Sequence, residues 1–123
     1  MLITCNVNDF KSHKSDYNFI ITRKLLFKVN GAVHFPGLAP SEDLFINTLN
    51  DKNSNNDWYK SYEKSFKEEL NSSTFMGHIY MICELLDEGY DVTIMCYCKE
   101  VSECHRKIVA EKIKKLGYSV EIY

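Results

Sequence analysis

Short apolar runs separated by polar stretches predict the strands of this chain. Residues 2–7 are apolar and partly β-branched, and residues 19–23 form a second run that ends in a charge. Asn30-Gly31 is a turn signal that leaves residues 32–35 as a candidate minor strand. Residues 91–97 are apolar at nearly every position, which is typical of a central parallel strand buried on both faces. Residues 119–123 are predicted as a final strand.

Helices are predicted where apolar residues recur every three or four positions. Ser41 has the character of an N-cap, followed by an acidic first turn, for a helix that runs to about residue 50. Amphipathic patterns predict two more helices, over residues 58–70 and from about residue 75 to Gly89, and a glycine often ends a helix in this way. A last helix is predicted over residues 104–116, before Gly117.

The order of these elements defines the expected architecture. The second half alternates helix, strand, helix and strand, and right-handed crossovers would stack such units into a mostly parallel sheet. The chain has 123 residues, of which 45% are hydrophobic, enough for one core. We therefore expect a single α/β domain over residues 1–123, a Rossmann-like three-layer sandwich with helices on both faces of the sheet.

The composition of the chain limits the kinds of partner that the protein is expected to bind. The chain carries 15 basic and 17 acidic side chains, a balance that argues against a dedicated duplex-DNA binder. Nucleic acid stays possible but is not favoured, because only the lysines of the last helix would supply a basic surface. No apolar run could cross a bilayer and no secretion signal is visible, so we expect a cytoplasmic protein with no membrane partner. The residue usage is typical of a low-GC bacterium or a phage, and the oligomeric state stays open.

Three of the five cysteines cluster between the predicted central strand and the last helix. Cys5 and Cys83 lie in apolar stretches and are interpreted as small core residues. Cys96, Cys98 and Cys104 stand beside a histidine and an arginine, in the pattern Cys-x-Cys-x5-Cys-His-Arg. An α/β fold usually builds its ligand site where a strand ends and the next helix begins, so this segment is the candidate site.

The residue types at this place favour an anionic ligand. Free N–H groups of a helix N-terminus favour negative charge, lower the pKa of a thiol and suit Cys104 to act as a nucleophile. His105 would carry a proton and Arg106 would hold negative charge. The candidate catalytic residues are therefore Cys104, His105 and Arg106, and the candidate ligand-binding residues are Arg23, Cys96, Cys98 and Ser41. The expected partner is a small anion such as a phosphate or a nucleotide.

Two other functions remain open at this stage. The same pocket would serve a non-catalytic module that sequesters its ligand. Cys96, Cys98, Cys104 and His105 would alternatively hold a metal, although two cysteines separated by one residue are not the usual zinc knuckle. No cofactor is predicted. Tyrosine-phosphatase chemistry is excluded, because it needs five residues between cysteine and arginine, and seven separate Cys98 from Arg106.

Most of the chain, and most specifically its C-terminal third, resembles the family known as domain of unknown function 488 (DUF488). The resemblance rests on the strand that ends in Cys96-Tyr97-Cys98, on Cys104-His105-Arg106 opening a helix, and on the tail 117–122. A subgroup found in bacteria and phages has Leu-Ala-Pro-Ser before a helix, as in residues 38–41 here. The N-terminal strand of the family commonly ends in an arginine, which corresponds to Arg23. Cys98 stands where the family often has glutamate. The resemblance implies a compact α/β domain and supplies no reaction.

Overall fold

The computed structural model describes residues 1–52, 57–98 and 101–123, and within them five strands form one sheet. Every neighbouring pair of strands is parallel, and the strand order across the sheet is β3-β2-β4-β1-β5. The strands are β1 (Leu2–Asn6), β2 (Tyr17–Ile20), β3 (Val33–His34), β4 (Val92–Cys96) and β5 (Val120–Ile122). All five residues of β4 are buried, as its uninterrupted apolar sequence predicts for a central strand.

Four α-helices connect and cover the sheet. They are α1 (Glu42–Lys52), α2 (Trp58–Leu70), α3 (Ser73–Asp87) and α4 (His105–Lys115). Short 3-10 helices occupy Val7–Ser12, Pro36–Leu38 and Val101–Glu103. Gly89 and Gly117 follow α3 and α4 with φ values of +93° and +104°, the left-handed backbone that glycine adopts at a helix end. No helix in the described part of the chain is long and apolar enough to span a bilayer.

The core divides into two apolar clusters, one with Val92 and Ile94 of β4 and one with Met95. In the larger cluster, α2, α3 and α4 pack against the face that carries Val92 and Ile94. In the smaller cluster, Phe10 of the 3-10 helix Val7–Ser12 packs with Cys5, Ile20 and Met95. The mixed α/β class is confirmed, and the arrangement is consistent with the expected three-layer sandwich. The buried positions of Cys5 and Cys83 are confirmed as well.

Several element boundaries differ from those predicted. The second strand ends at Ile20 instead of at Arg23, because only Ile21 still bonds to β4 before the chain turns away. The last helix begins at His105, with Cys104 as its N-cap. The sequence also predicts a solvated polar loop over residues 51–57, between the first two helices. This loop begins later than predicted because α1 continues to Lys52, and its residues 53–56 lie outside the described residues.

The strand order creates a crevice between β2 and β4. The chain leaves β2 toward β3 at one edge of the sheet, and it leaves β4 toward β5 at the other edge. Because β2 and β4 are neighbours, their outgoing connections diverge at their carboxyl ends. Open α/β sheets bind ligands at such topological switch points. The topology therefore places the candidate site after Ile20 and Cys96.

Candidate functional site

A cavity of about 300 Å³ lies at the carboxyl ends of β2 and β4, in this crevice. Residues 22–24 form one wall and residues 96–98 form the floor. Glu103 and His105 reach the cavity from the start of α4, while α1 and α2 close the remaining side. A single hollow thus collects side chains from both diverging loops and from three helices.

Three cationic side chains line the cavity, namely Arg23, Lys24 and Lys52. Arg23 donates from Nε and from one terminal nitrogen to the carbonyl oxygen of Pro40, at 3.0 and 2.7 Å. These bonds hold the segment before α1 against the loop after β2. Arg23 therefore lies in the cavity wall as expected, with part of its donor capacity spent on backbone carbonyls. The only acidic residue among the lining side chains that the structure describes is Glu103.

Four aromatic side chains form part of the remaining wall. Trp58 and Tyr62 face the cavity from α2, Phe45 from α1 and Tyr97 from the loop after β4. The ammonium of Lys52 lies 4.5 Å from the centre of the Trp58 ring, a cation–π distance. Tyr97 is held in place because its hydroxyl accepts a bond of 3.1 Å from the backbone N–H of Leu26. The cavity therefore combines flat apolar surfaces with positive charge.

The sulfur atoms of Cys96, Cys98 and Cys104 meet at the floor of the cavity, all within 4.8 Å of one another. The Cys96 and Cys104 sulfurs are 2.6 Å apart and both residues are buried, whereas Cys98 is exposed. The loop that carries Cys98 is fixed to β1, because the side-chain amide of Asn6 donates to the Cys98 carbonyl oxygen at 2.7 Å. The predicted cysteine cluster is thus present in three dimensions.

The pKa values of the three thiols are shifted in different directions. Hydrogen bonds from Cys104 and Cys96 lower the pKa of the Cys98 thiol well below its usual range. The pKa of Cys104 is raised by its bonds to Cys96 and Cys98 and by burial. At Cys96, the bond to Cys104 lowers the pKa, but the bond to Cys98 and burial outweigh it, so the pKa is raised. These directions favour a thiolate at Cys98, whereas the sequence predicted the activated thiol at Cys104.

His105 is buried between the two loops that form the crevice. Its Nε2 lies 2.5 Å from the carbonyl oxygen of Ile21, so this nitrogen carries the proton and donates. Its Nδ1 faces the Cys104 sulfur at 3.9 Å. Burial lowers the pKa of His105, and the bond to Ile21 opposes this only in part. The imidazole is accordingly neutral near pH 7, and its Nδ1 lone pair faces the Cys104 sulfur.

Arg106 and Ser41 do not reach the cavity. The guanidinium of Arg106 is 2% exposed and donates to the carbonyl oxygen of Tyr123 at 2.7 Å and to the Thr4 hydroxyl at 3.3 Å. The expected meeting of Arg23 and Arg106 in one pocket therefore does not occur, since α4 turns Arg106 toward β1 and β5. Ser41 accepts a bond from the Leu44 N–H and donates to Glu69, which confirms it as the N-cap of α1.

Sequence reasoning did not assign most of the lining residues to the site, among them Lys24, Lys52, Tyr97 and Glu103. Tyr97 and Lys24 follow β4 and β2 closely, so the rule that places ligands at strand ends would have found them. Lys52 carried no such signal, because one lysine at the end of a polar helix looks like a solvated side chain.

A comparison with known protein families identifies the family of this chain. Residues 3–117, from β1 to just past α4, match the family DUF488-N3a, described as the active DUF488-N3 subclade. The chain belongs to the DUF488 family. The resemblance drawn from Cys96, Cys98 and the Cys104-His105-Arg106 motif is thereby confirmed. No curated protein and no solved structure matches this DUF488 domain.

Proposed function

We propose that this DUF488 domain binds a small anion of the mononucleotide class, with a flat ring and a phosphate group, in the cavity between β2 and β4. The observation that carries the proposal is the pairing of three cationic side chains with aromatic walls in one hollow at the switch point of the sheet. A phosphate-bearing ring compound needs both kinds of surface at once.

The size of the cavity favours a small ligand. Ligand sites in proteins range from roughly 300 to 1,000 Å³, and this cavity of about 300 Å³ stands at the lower end. A nucleoside monophosphate or a sugar phosphate matches that volume better than a dinucleotide. The chain also lacks the Gly-x-Gly-x-x-Gly loop that cradles a pyrophosphate in dinucleotide-binding folds.

The charges of the lining favour a phosphate group. Lys24 and Lys52 have ammonium groups that act as point charges, and Arg23 has a planar donor fork. Arg23 uses Nε and one terminal nitrogen for Pro40 and Ala39, and its other terminal nitrogen makes no bond to the part of the chain that the structure describes. That nitrogen is available to a ligand oxygen in the cavity.

The aromatic walls favour a flat ring beside the phosphate. Stacking of a base on an aromatic side chain contributes about 1–3 kcal/mol per base and tolerates different bases. Trp58 is partly buried, lines the cavity and already accepts the Lys52 ammonium on its ring. A base that stacks there would lie next to a cation, so ring and charge would be recognised together.

Isothermal titration calorimetry at low salt with AMP, UMP and GMP tests this proposal. Adenosine supplies the ring without charge, and ribose 5-phosphate supplies the charge without the base. We expect a monophosphate to bind more tightly than either part. Lys24→Gln and Lys52→Gln should each weaken binding by about tenfold, the loss typical of one charge-assisted bond. Lys114→Gln, an exposed lysine of α4 outside the cavity, is the matched control.

Two outcomes would contradict the proposal. The first is the absence of millimolar or tighter binding for every monophosphate tested. The second is equal affinity in Lys52→Gln and in the Lys114→Gln control. Analysis of the ligand after incubation distinguishes an enzyme from a sequestering module, because a module returns the nucleotide unchanged.

A further inference from the structure

We propose that Cys96, Cys98, Cys104 and His105 form a site for a divalent thiophilic metal ion, of which Zn²⁺ is the representative. The inference goes beyond ligand binding in the cavity and does not depend on it. It rests on three converging sulfur atoms and on an imidazole nitrogen that lies 3.9 Å from one of them, the sulfur of Cys104.

The sulfur atoms converge from rigid parts of the fold. Cys96 is the last residue of the buried strand β4, and Cys104 is the N-cap residue of α4. Cys98 lies two residues beyond the strand, and its carbonyl is held by Asn6. The three sulfurs lie within 4.8 Å of one another. Thiolates are preferred ligands of Zn²⁺, and sites with three cysteines and one histidine are a common structural class.

The spacing of the donor atoms fits a tetrahedral ion after a small adjustment. With Zn–S bonds of about 2.3 Å, two ligands on one tetrahedral ion lie roughly 3.7 Å apart. Nδ1 of His105 is already 3.9 Å from the Cys104 sulfur. The Cys96 and Cys104 sulfurs, now 2.6 Å apart, would have to separate by about 1 Å, a movement that small side-chain rotations supply.

His105 has the orientation of a metal-binding histidine. Such histidines almost always donate their second ring N–H to a carboxylate, a backbone carbonyl or a water molecule, which fixes the tautomer. Nε2 of His105 donates to the Ile21 carbonyl oxygen, so the lone pair is on Nδ1, the nitrogen that faces the Cys104 sulfur. The ring is further held by Phe66, whose ring centre is 5.9 Å away in an edge-to-face arrangement.

The surrounding charge is compatible with three thiolates on a divalent ion. Such a site with a neutral histidine carries one net negative charge. Lys52, which lines the same cavity, interacts electrostatically with the Cys98 sulfur and would offset that charge. The ion would therefore lie at the floor of the cavity, enclosed on the protein side by β4 and α4.

Metal analysis of the intact chain tests the site. Protein purified under reducing conditions without chelator is analysed by native mass spectrometry, and the metal-free form is then titrated with Co²⁺. We expect one Zn²⁺ per chain. We also expect the absorption spectrum of the Co²⁺-loaded chain to show the visible and near-ultraviolet bands of a tetrahedral thiolate site. Cys98→Ala should weaken Zn²⁺ binding by about 100-fold or more. Loss of a residue that only supports a metal ligand costs up to about 100-fold, and loss of a ligand itself should cost at least as much. Cys83→Ala removes a buried cysteine away from the cluster and should leave Zn²⁺ binding unchanged.

Cys98 is exposed, so its replacement tests the site even if variants of buried Cys96 or Cys104 fail to fold. Any one of three results would overturn the inference. The first is less than about one-fifth of an equivalent of metal in the purified chain together with no thiolate–Co²⁺ bands. The second is equal Zn²⁺ affinity in Cys98→Ala and Cys83→Ala, and the third is a Cys96–Cys104 disulfide that persists in reductant. Nucleotide calorimetry on the metal-free chain separates this failure from a failure of the proposed function.

Discussion

The Nε2 atom of His105 donates a hydrogen bond of 2.5 Å to the carbonyl oxygen of Ile21. This bond joins the first turn of α4 to the residue that follows β2, and so it spans the crevice in which the cavity lies. Ile21 itself donates to Met95 of β4, which continues the sheet by one more bond. The two loops that bound the site are therefore held at a fixed distance by the backbone and one imidazole.

The bond between His105 and Ile21 predicts a graded loss of stability. His105→Ala leaves the Ile21 carbonyl unpaired and opens a hole, and we expect the free energy of unfolding to fall by about 2–4 kcal/mol. His105→Gln keeps a side-chain N–H donor and should lose roughly half as much. Urea unfolding of the metal-free chain at pH 7.5 measures both. Equal losses in the two variants would show that packing, and not the hydrogen bond, dominates.

Arg106 is expected to stabilise the fold and not to bind the ligand. Its buried guanidinium connects α4 to Thr4 of β1 and to Tyr123. Arg106→Ala should lower the free energy of unfolding by about 2–4 kcal/mol, because it opens a hole and leaves the Tyr123 carbonyl unpaired, whereas Arg106→Met fills the volume and should lose much less. Urea unfolding gives the stabilities, and nucleotide calorimetry should give wild-type affinity for Arg106→Met. A large loss of affinity in a stable Arg106→Met protein would restore this residue to the site.

The local patterns predicted the elements well because both faces of β4 and one stripe of each of α2, α3 and α4 are buried. The uninterrupted apolar run at 91–97 corresponds to a strand with every residue buried, and the cap of α1 is at Ser41. The boundary at Arg23 was wrong because the end of β2 depends on β4 no longer offering partners, and a single strand does not encode where its neighbour ends.

The candidate site was located correctly but its members were only partly predicted. The clustering of Cys96, Cys98 and Cys104 follows from chain proximity, and the structure brings their sulfurs together. The direction of Arg106 depends on the rotation of α4 about its axis, which adjacent positions in the sequence do not reveal. Lys52 reaches the cavity from a helix about 50 residues earlier in the chain, a long-range contact that no local pattern contains.

Ser41 should affect stability without affecting ligand binding. Its hydroxyl caps α1 by accepting from the Leu44 N–H, and its own N–H and hydroxyl donate to Glu69 of α2. Ser41→Ala should lower the free energy of unfolding by about 1–2 kcal/mol, the usual cost of a lost cap. Thermal unfolding and nucleotide calorimetry together check this. A binding defect with unchanged melting temperature would place Ser41 in the site after all.

Cys98 is expected to react first with thiol reagents in the metal-free chain. It is exposed and its thiol receives hydrogen bonds from Cys104 and Cys96, whereas Cys104 is 1% exposed. Brief treatment with iodoacetamide at pH 7, followed by peptide mass spectrometry, should place the first label on Cys98. Cys98→Ala should lose that fast phase, while Cys83→Ala should retain it. Labelling of Cys104 at the same rate would mean that the first turn of α4 opens readily.

Cys5 should make the fold less stable at alkaline pH. Burial raises the pKa of its thiol to about 11; Arg106 opposes this shift and Asp9 adds to it. The unfolded chain releases this proton near pH 8.5, so between about pH 8.5 and 11 the folded state binds more protons than the unfolded state. The free energy of unfolding must then fall as pH rises through this window, and it is unaffected by Cys5 below it.

Comparison with Cys5→Ala isolates the contribution of Cys5. Lysines and tyrosines titrate in the same range, but they are present in both proteins and cancel in the difference. Cys5→Ala should be less stable at pH 7.5, because it leaves a small hole beside Met95 and Ile20, yet its stability should fall less steeply between pH 8.5 and 11. Urea midpoints across that range measure the two slopes. Parallel slopes would show that the Cys5 thiol ionises as easily in the folded chain as in the unfolded one.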